Sequence, residues 1–186
     1  MGIFSWLTRN NGKAAARGAW HEQWARAVAS PDPAAVALLE ATLHRQPPLA
    51  DDLELEEEML DALRQLVELS GELDAARPPT IETAHRLVGA DVCHFSAAVS
   101  VPDDPAQPTG RLLLTSRRAA FAGGGHVPAL AWHGVRQVVQ DGRDVLFVPV
   151  TGDGALRFRC NSFADAVCGA AIARFLIQRR HGGVNG

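Results

Sequence analysis

The sequence predicts an α+β fold in which an N-terminal α-helical region precedes a small antiparallel β-barrel capped by a C-terminal helix. Three observations favour it. Apolar residues recur at helical spacing over positions 30–77, and again from Ser162 toward Arg180. Between Thr109 and Asn161, short apolar runs alternate with turn residues about every 8–12 positions, which is typical of an antiparallel meander. These turn residues are Gly110, Gly123–Gly125, Asp141–Gly142 and Gly152–Gly154.

Composition places the chain among globular proteins. Of its 186 residues, 47% are hydrophobic and 21% are charged, which predicts one domain with an appendage or two small domains. No apolar run reaches the roughly 18 residues that a membrane-spanning helix needs, and the first ten residues lack the basic segment of a secretory signal. We therefore expect a cytoplasmic protein, or one held peripherally at the inner face of the membrane.

The two halves of the chain differ in charge. Residues 1–80 hold seven Lys/Arg and thirteen Asp/Glu, a net charge of −6, whereas residues 81–186 hold eleven Arg and eight Asp/Glu, a net charge of +3. The two halves could face each other, or the basic half could face an anionic surface. A nucleic-acid-binding protein usually carries a clearer basic patch, so we expect no nucleic-acid partner.

Breaks in the pattern divide the chain into three parts. The predicted parts are a flexible or docking N-terminal segment at 1–29, a helical region at 30–77 and the barrel domain at 81–181. In the helical region, a first helix begins at Asp32–Pro33, and a second runs from Asp51 to about Ala76 and is expected to be the longest. The proline-rich linker Arg77–Pro79 then separates the helices from the strands.

The N-terminal segment offers Phe4, Trp6 and Leu7 as candidates for contact with a membrane or a partner. With nearby basic residues they could form one apolar turn of an interfacial helix. Asn10–Gly12 interrupts the helical pattern, which favours the alternative that the segment is partly frayed and its tryptophans pack onto the protein's own body.

The β-rich half begins with an alternating segment at Cys93–Val101, followed by a polar, proline-rich loop at Pro102–Thr109. The meander comes next. Ser162 and Asp165 then form a capping box that begins the last helix. That helix is apolar on more than one face, so we expect it to pack on the barrel and also to contact the N-terminal helices.

The segment Gly110–Phe121, which reads GRLLLTSRRAAF, resembles the G-x-L-x-L-T-x-x-R-x-x-F hairpin of GRAM and bacterial PH-like domains. Downstream, Ala131–Val138 is similar to a strand of that family, and Phe158 and the helix from Ser162 match its closing strand and C-terminal helix. The resemblance covers about residues 90–180. It implies a strongly bent antiparallel barrel, plugged by the helix at one end, that binds phosphoinositides, other lipids or proteins and very rarely catalyses a reaction.

The candidate ligand residues follow from this resemblance. Lipid-binding members of the family carry several basic residues in the loop between their first two strands, but here that loop holds Asp103 and Asp104 and no base. This charge argues against a conventional phosphoinositide pocket. The remaining candidates for lipid or anion binding are Arg111, Arg117 and Arg118, although the arginine that matches Arg118 is structural in the family pattern.

Motifs for catalysis, metals and cofactors are missing from the sequence. The glycines at 123–125 lie between strands and lack a G-x-G-x-x-G register and a phosphate-binding lysine, so they predict a turn. The histidines are scattered singly, and the three cysteines are too widely spaced for a disulfide framework or a metal site. A nucleophilic pair of Cys160 with His133 stays open, because such a pair forms in space. We expect no enzyme activity, no metal and no cofactor.

The sequence therefore predicts a non-catalytic interaction module, a helical region docked on a PH-like barrel, that binds a protein partner. Exposed strand edges and loop mouths of such a barrel accept peptides by strand addition. The alternative is a peripheral membrane or anionic-lipid-binding module that uses the N-terminal apolar and basic segment together with the basic barrel.

Overall fold

The computed structural model of the protein describes residues 3–45, 53–125, 127–152 and 154–182, and the side chains of residues 14–45, 53–125, 127–152 and 154–180. This part of the chain forms four α-helices, seven β-strands and one short 3-10 helix. The helices are α1 (Ile3–Ala29), α2 (Pro33–Arg45), α3 (Glu54–Asp74) and α4 (Phe163–Gly182). The strands are β1 (Cys93–Ser100), β2 (Thr109–Thr115), β3 (Arg118–Gly123), β4 (Leu130–Ala131), β5 (Val135–Asp141), β6 (Asp144–Pro149) and β7 (Leu156–Cys160), with the 3-10 helix at Trp132–Gly134.

The predicted α+β class is confirmed. The chain forms two compact units, the first ending at Val67 and the second beginning at Glu68. This division falls inside α3 rather than at the proline-rich linker. The physical reason is that Leu69 and Leu73, in the last turns of α3, pack into the core of the second unit.

The first unit is built around the tryptophans of α1. Trp20 and Trp24 are almost fully buried. The indole N–H of Trp20 donates to the carbonyl of Leu39 at 3.1 Å, and that of Trp24 donates to the carbonyl of Met59 at 2.6 Å. These two tryptophans therefore pack onto other helices of the first unit.

The N-terminal segment is a continuous helix. α1 spans 27 residues and passes through Asn10–Gly12 without a break. It is longer than α3, which spans 21 residues, so the prediction that α3 is the longest helix is wrong. Weak local helix formers are tolerated inside a helix when tertiary packing elsewhere along it supplies the stability. The backbone at Phe4, Trp6 and Leu7 belongs to α1, but their side chains lie outside the described residues.

The second unit contains one seven-stranded sheet in the order β4-β3-β2-β1-β7-β6-β5, and every neighbouring pair is antiparallel. The predicted barrel is not closed. Because β4 has only two residues and the 3-10 helix separates it from β5, these strands remain the two ends of the sheet. A register shift between Cys93 and Phe95 makes β1 irregular, and β1 pairs with β7 only through Val99 and Ser100.

α4 packs across the sheet and closes its core. The side-chain hydroxyl of Ser162 accepts the backbone N–H of Asp165 at 3.0 Å, so the predicted cap forms. Farther along, Gly169 allows close approach to the sheet, because a Cβ atom there would lie 2.9 Å from the ring of Phe95. The buried aromatic residues of the sheet's core are Phe95, Phe121, Trp132, Phe147 and Phe158.

Candidate functional site

Strand β5 presents one free edge. It pairs with β6 along one side, and within the described residues no strand pairs with its other side. Asp141 and Asp144 flank the two-residue turn Gly142–Arg143, in which Gly142 has a φ of 58°. Residues that flank such a turn form a hydrogen-bonded pair, and the pairing alternates from there. The backbone groups of Val138 and Gln140 therefore point away from β6, toward the free edge.

One side chain of α4 occupies this edge. The guanidinium Nε of Arg174 donates to the backbone carbonyl of Val138 at 3.1 Å. Burial lowers the pKa of Arg174 from its usual value. The contact independently supports the outward direction of the Val138 carbonyl, and it places a cation at the middle of the edge. Arg136 and Gln137 are exposed on the same strand.

A second feature of this unit is a cleft of about 370 Å³, which we call the arginine cleft. Four separate segments form it: the loop before β1, the β2–β3 turn with the first residue of β3, the stretch around β4, and the end of α4. Its lining residues are Val88, Gly89, Ala90, Asp91, Arg117, Arg118, Ala131, His133 and Arg180. Four basic side chains thus meet one acidic side chain.

Thr115 organises the β2–β3 turn, which contributes Arg117 and Arg118 to the arginine cleft. Thr115 is fully buried, and its hydroxyl oxygen accepts the backbone N–H groups of Arg117 at 3.3 Å and Arg118 at 3.1 Å. The hydroxyl also lies 3.2 Å from the Asp91 carboxylate, and the indole N–H of Trp132 donates to the Thr115 carbonyl at 2.9 Å. The threonine of the hairpin motif therefore holds the turn that places both arginines.

The two neighbouring arginines differ in environment. Arg117 is 65% exposed and its Nε lies 2.5 Å from the carboxylate of Asp91, whose side chain is only 4% exposed. Arg118 is partly buried and donates from Nη2 to the carbonyl of Leu87 at 2.9 Å. Its Nε is buried and has no hydrogen-bond partner among the described residues. Arg118 therefore has a structural contact and, in addition, one unused donor.

The structure brings together some of the predicted site residues and not others. Arg117 and Arg118 line the arginine cleft, whereas Arg111 lies on β2, where its Nε donates to the hydroxyl of Ser96 at 2.9 Å. Sequence reasoning missed His133 and Arg180 as members of the cleft. No local spacing could have identified them, because they join the hairpin arginines only through the fold.

The remaining thiols and histidines give no catalytic arrangement among the described residues. Burial raises the pKa of Cys160 to about 12 and that of Cys168 to about 11, so both stay protonated near neutral pH. A ring nitrogen of His94 lies 2.7 Å from the carbonyl of Pro79. In the part of the chain that the structure describes, no group of three or more His, Cys, Asp or Glu residues could hold a metal ion.

Among the described residues, no helix is both long enough and apolar enough to cross a bilayer.

Comparison with known proteins assigns no family. No family model matches the chain, and no curated protein matches it. Among solved structures, the chain is similar to the FERM and C-terminal domain complex of Drosophila Merlin, with 11% identity and a TM-score of 0.38, over 87% of this chain and 57% of that one. The chain thus spans little more than half of that structure's length. This likeness is too distant to carry an argument, so the fold rests on the strand pairing above, and membership of the GRAM or bacterial PH-like domains stays a prediction from the hairpin motif.

Proposed function

We propose that the protein is a non-catalytic, PH-like interaction module whose second unit binds an extended segment of a protein partner along β5. The observation that carries this proposal is the free edge of a seven-residue strand at the end of the sheet. A free edge presents unpaired N–H and C=O groups that an added strand can pair with. In such binding, main-chain hydrogen bonds give affinity and alternate side chains give specificity.

The charges beside the edge favour an acidic partner segment. Arg174 lies over Val138, and Arg136 is exposed on β5 itself. An added strand must displace the Arg174 side chain from the Val138 carbonyl in order to pair there. A carboxylate on the incoming segment would accept the displaced guanidinium in a charge-assisted hydrogen bond.

The test is a selection of peptides from a displayed random library, followed by affinity measurement on two variants at one edge position. Gln140→Pro removes an outward N–H but leaves the pairing with β6, because proline is tolerated at a strand edge. Gln140→Ala removes only the side chain and is the matched control. We expect acidic peptides to bind the wild type and Gln140→Ala alike, and to bind Gln140→Pro about tenfold more weakly.

Two results would contradict this proposal. The first is a peptide that binds Gln140→Pro as tightly as the wild type, with both variants folded by circular dichroism. The second is that the folded wild type selects no peptide that binds at the β5 edge.

The alternative function is attachment to an anionic membrane. Phe4, Trp6 and Leu7 belong to the first turns of α1, and the basic residues Arg9 and Lys13 follow them within six positions of the sequence. Replacing the three apolar residues by alanine is the appropriate test, since truncation at Ser30 would also remove the buried Trp20 and Trp24 of the first unit. Salt-sensitive flotation with anionic vesicles that is lost in the triple variant would favour this alternative.

A further inference from the structure

The arginine side chains that line the arginine cleft outnumber the acidic side chains there. Arg117, Arg118 and Arg180 contribute +3 and Asp91 contributes −1, so these four side chains carry a net charge of +2. Asp91 is already engaged by Arg117 and by the Thr115 hydroxyl. The side chains of His133 and Arg180 make no hydrogen bond or ion pair with the described residues. The excess charge is therefore available to a ligand.

The unused donors lie on groups that suit an oxyanion. Each guanidinium has five N–H donors in a planar fork. Arg118 has a buried Nε without a partner in the described part of the chain, and Arg117 uses its Nε on Asp91, leaving its terminal nitrogens. The turn held by Thr115 fixes the backbone beneath both side chains. Such preorganisation reduces the entropy that ligand binding must overcome.

We propose that the arginine cleft binds a phosphate monoester. At pH 7 this group carries a charge of about −1.5 to −2, which neutralises the net +2 of the cleft, whereas a single carboxylate would leave it about half neutralised. The volume of about 370 Å³ exceeds what a bare phosphate fills and leaves room for the ester substituent beside Val88, Ala90 and Ala131. None of the residues that line the arginine cleft belongs to the β5 edge, so phosphate binding and peptide binding can be tested independently.

The direct test is a titration of isotope-labelled full-length protein with inorganic phosphate, following the side-chain Nε–Hε resonance of Arg118 by NMR. Acetate at equal ionic strength is the control for general screening. We expect a saturable shift with phosphate and no saturable shift with acetate. A resonance that does not move with phosphate, or moves equally with both anions, would overturn the site.

A pair of adjacent surface variants tests the geometry. Arg180 lines the arginine cleft, whereas its neighbour Arg179 is also exposed but does not line it. Arg180→Gln is expected to weaken phosphate binding about tenfold, and Arg179→Gln to change it less than about twofold. Equal weakening by both variants would show a diffuse charge effect and would contradict a defined site.

Two further ligands distinguish the source of the phosphate. Glycerol 3-phosphate presents the monoester on a soluble molecule, and vesicles that contain phosphatidic acid present it on a lipid. Competition of either ligand with inorganic phosphate at Arg118 supports the site and assigns the source. The proposal is wrong if neither ligand competes with inorganic phosphate at Arg118 and if Arg180→Gln changes the binding of neither ligand.

Discussion

Glu56 is a carboxylate inside the first unit, with a side chain only 2% exposed. Arg17 holds it through Nε at 2.5 Å and Nη2 at 2.8 Å, and a ring nitrogen of His21 lies 2.9 Å away. The hydrogen bond from Arg17 is the largest cause of a lowered pKa for Glu56, against the opposing effect of burial. Because the folded pKa lies below the unfolded value, ionised Glu56 stabilises the unit at neutral pH. This contribution is lost as the pH falls through the lowered pKa.

We expect Glu56→Gln to lower the free energy of unfolding by about 2 kcal/mol at pH 7, because it replaces charge-assisted hydrogen bonds with neutral ones. Urea unfolding at pH 7 and at pH 3.5 measures the effect, and the difference from wild type should shrink at the lower pH. Glu57→Gln changes an exposed carboxylate on the same helix and is the control. A deficit for Glu56→Gln that stays the same at both pH values would contradict this assignment.

At the scale of elements, the β2–β3 hairpin depends on a pair of facing glycines. Gly110 and Gly123 are opposite each other in the register. A Cβ atom at Gly110 would lie 2.4 Å from the backbone oxygen of Ala122, and one at Gly123 would lie 2.4 Å from the ring of Phe121. The Phe121 ring therefore packs over the glycine pair, which gives a physical reason for both the first and the last residue of the hairpin motif.

Gly110→Ala should destabilise the second unit by about 2 kcal/mol, since the clash is with backbone that cannot move aside. Gly124→Ala is the control, because no atom lies within 4 Å of a Cβ atom there. Thermal unfolding of both variants, followed through the β-sheet signal, measures the difference. Equal midpoints for the two alanine variants would show that the hairpin relaxes around the added methyl group.

Several elements could be predicted from sequence because their signals are local. The turn glycines mark the hairpins, and Ser162 marks the start of α4. Three features could not be predicted. The helix through Asn10–Gly12 depends on packing elsewhere along α1, and the open sheet depends on how β4 and β5 end. The arginine cleft joins residues as far apart in the sequence as Val88 and Arg180. Each of these results from tertiary structure, which local spacing does not encode.

At the scale of the whole molecule, α3 is shared by the two compact units. Its continuation beyond Val67 supplies Leu69, which is 9% exposed, and Leu73 to the core of the second unit. The proline-rich stretch at 77–79 has the composition of a linker. The last residues of α3 that pack into the core of the second unit lie before it.

A fragment that begins at Glu68 should therefore fold more stably than one that begins at Pro78. We expect a difference of about 3 kcal/mol in the free energy of unfolding, because the shorter fragment lacks both leucines and leaves a cavity in the core. Denaturant unfolding of the two fragments provides the measurement. In the longer fragment, Leu69→Ala and Leu73→Ala together should reproduce the loss, which would separate the leucines from the rest of the segment. Equal stability of the two fragments would place the boundary at the linker after all.

The position of Arg174 also bears on solubility. An unpaired strand edge is a template for a second copy of the same chain, and such edge-to-edge pairing leads to aggregation. Arg174 covers the middle of β5, and every copy carries this cation and Arg136 at the same place. Two such edges repel each other when they approach, whereas an acidic segment is attracted. The Arg174 guanidinium thus leaves the strand available to an acidic segment of another protein and disfavours pairing with a second copy of the same chain.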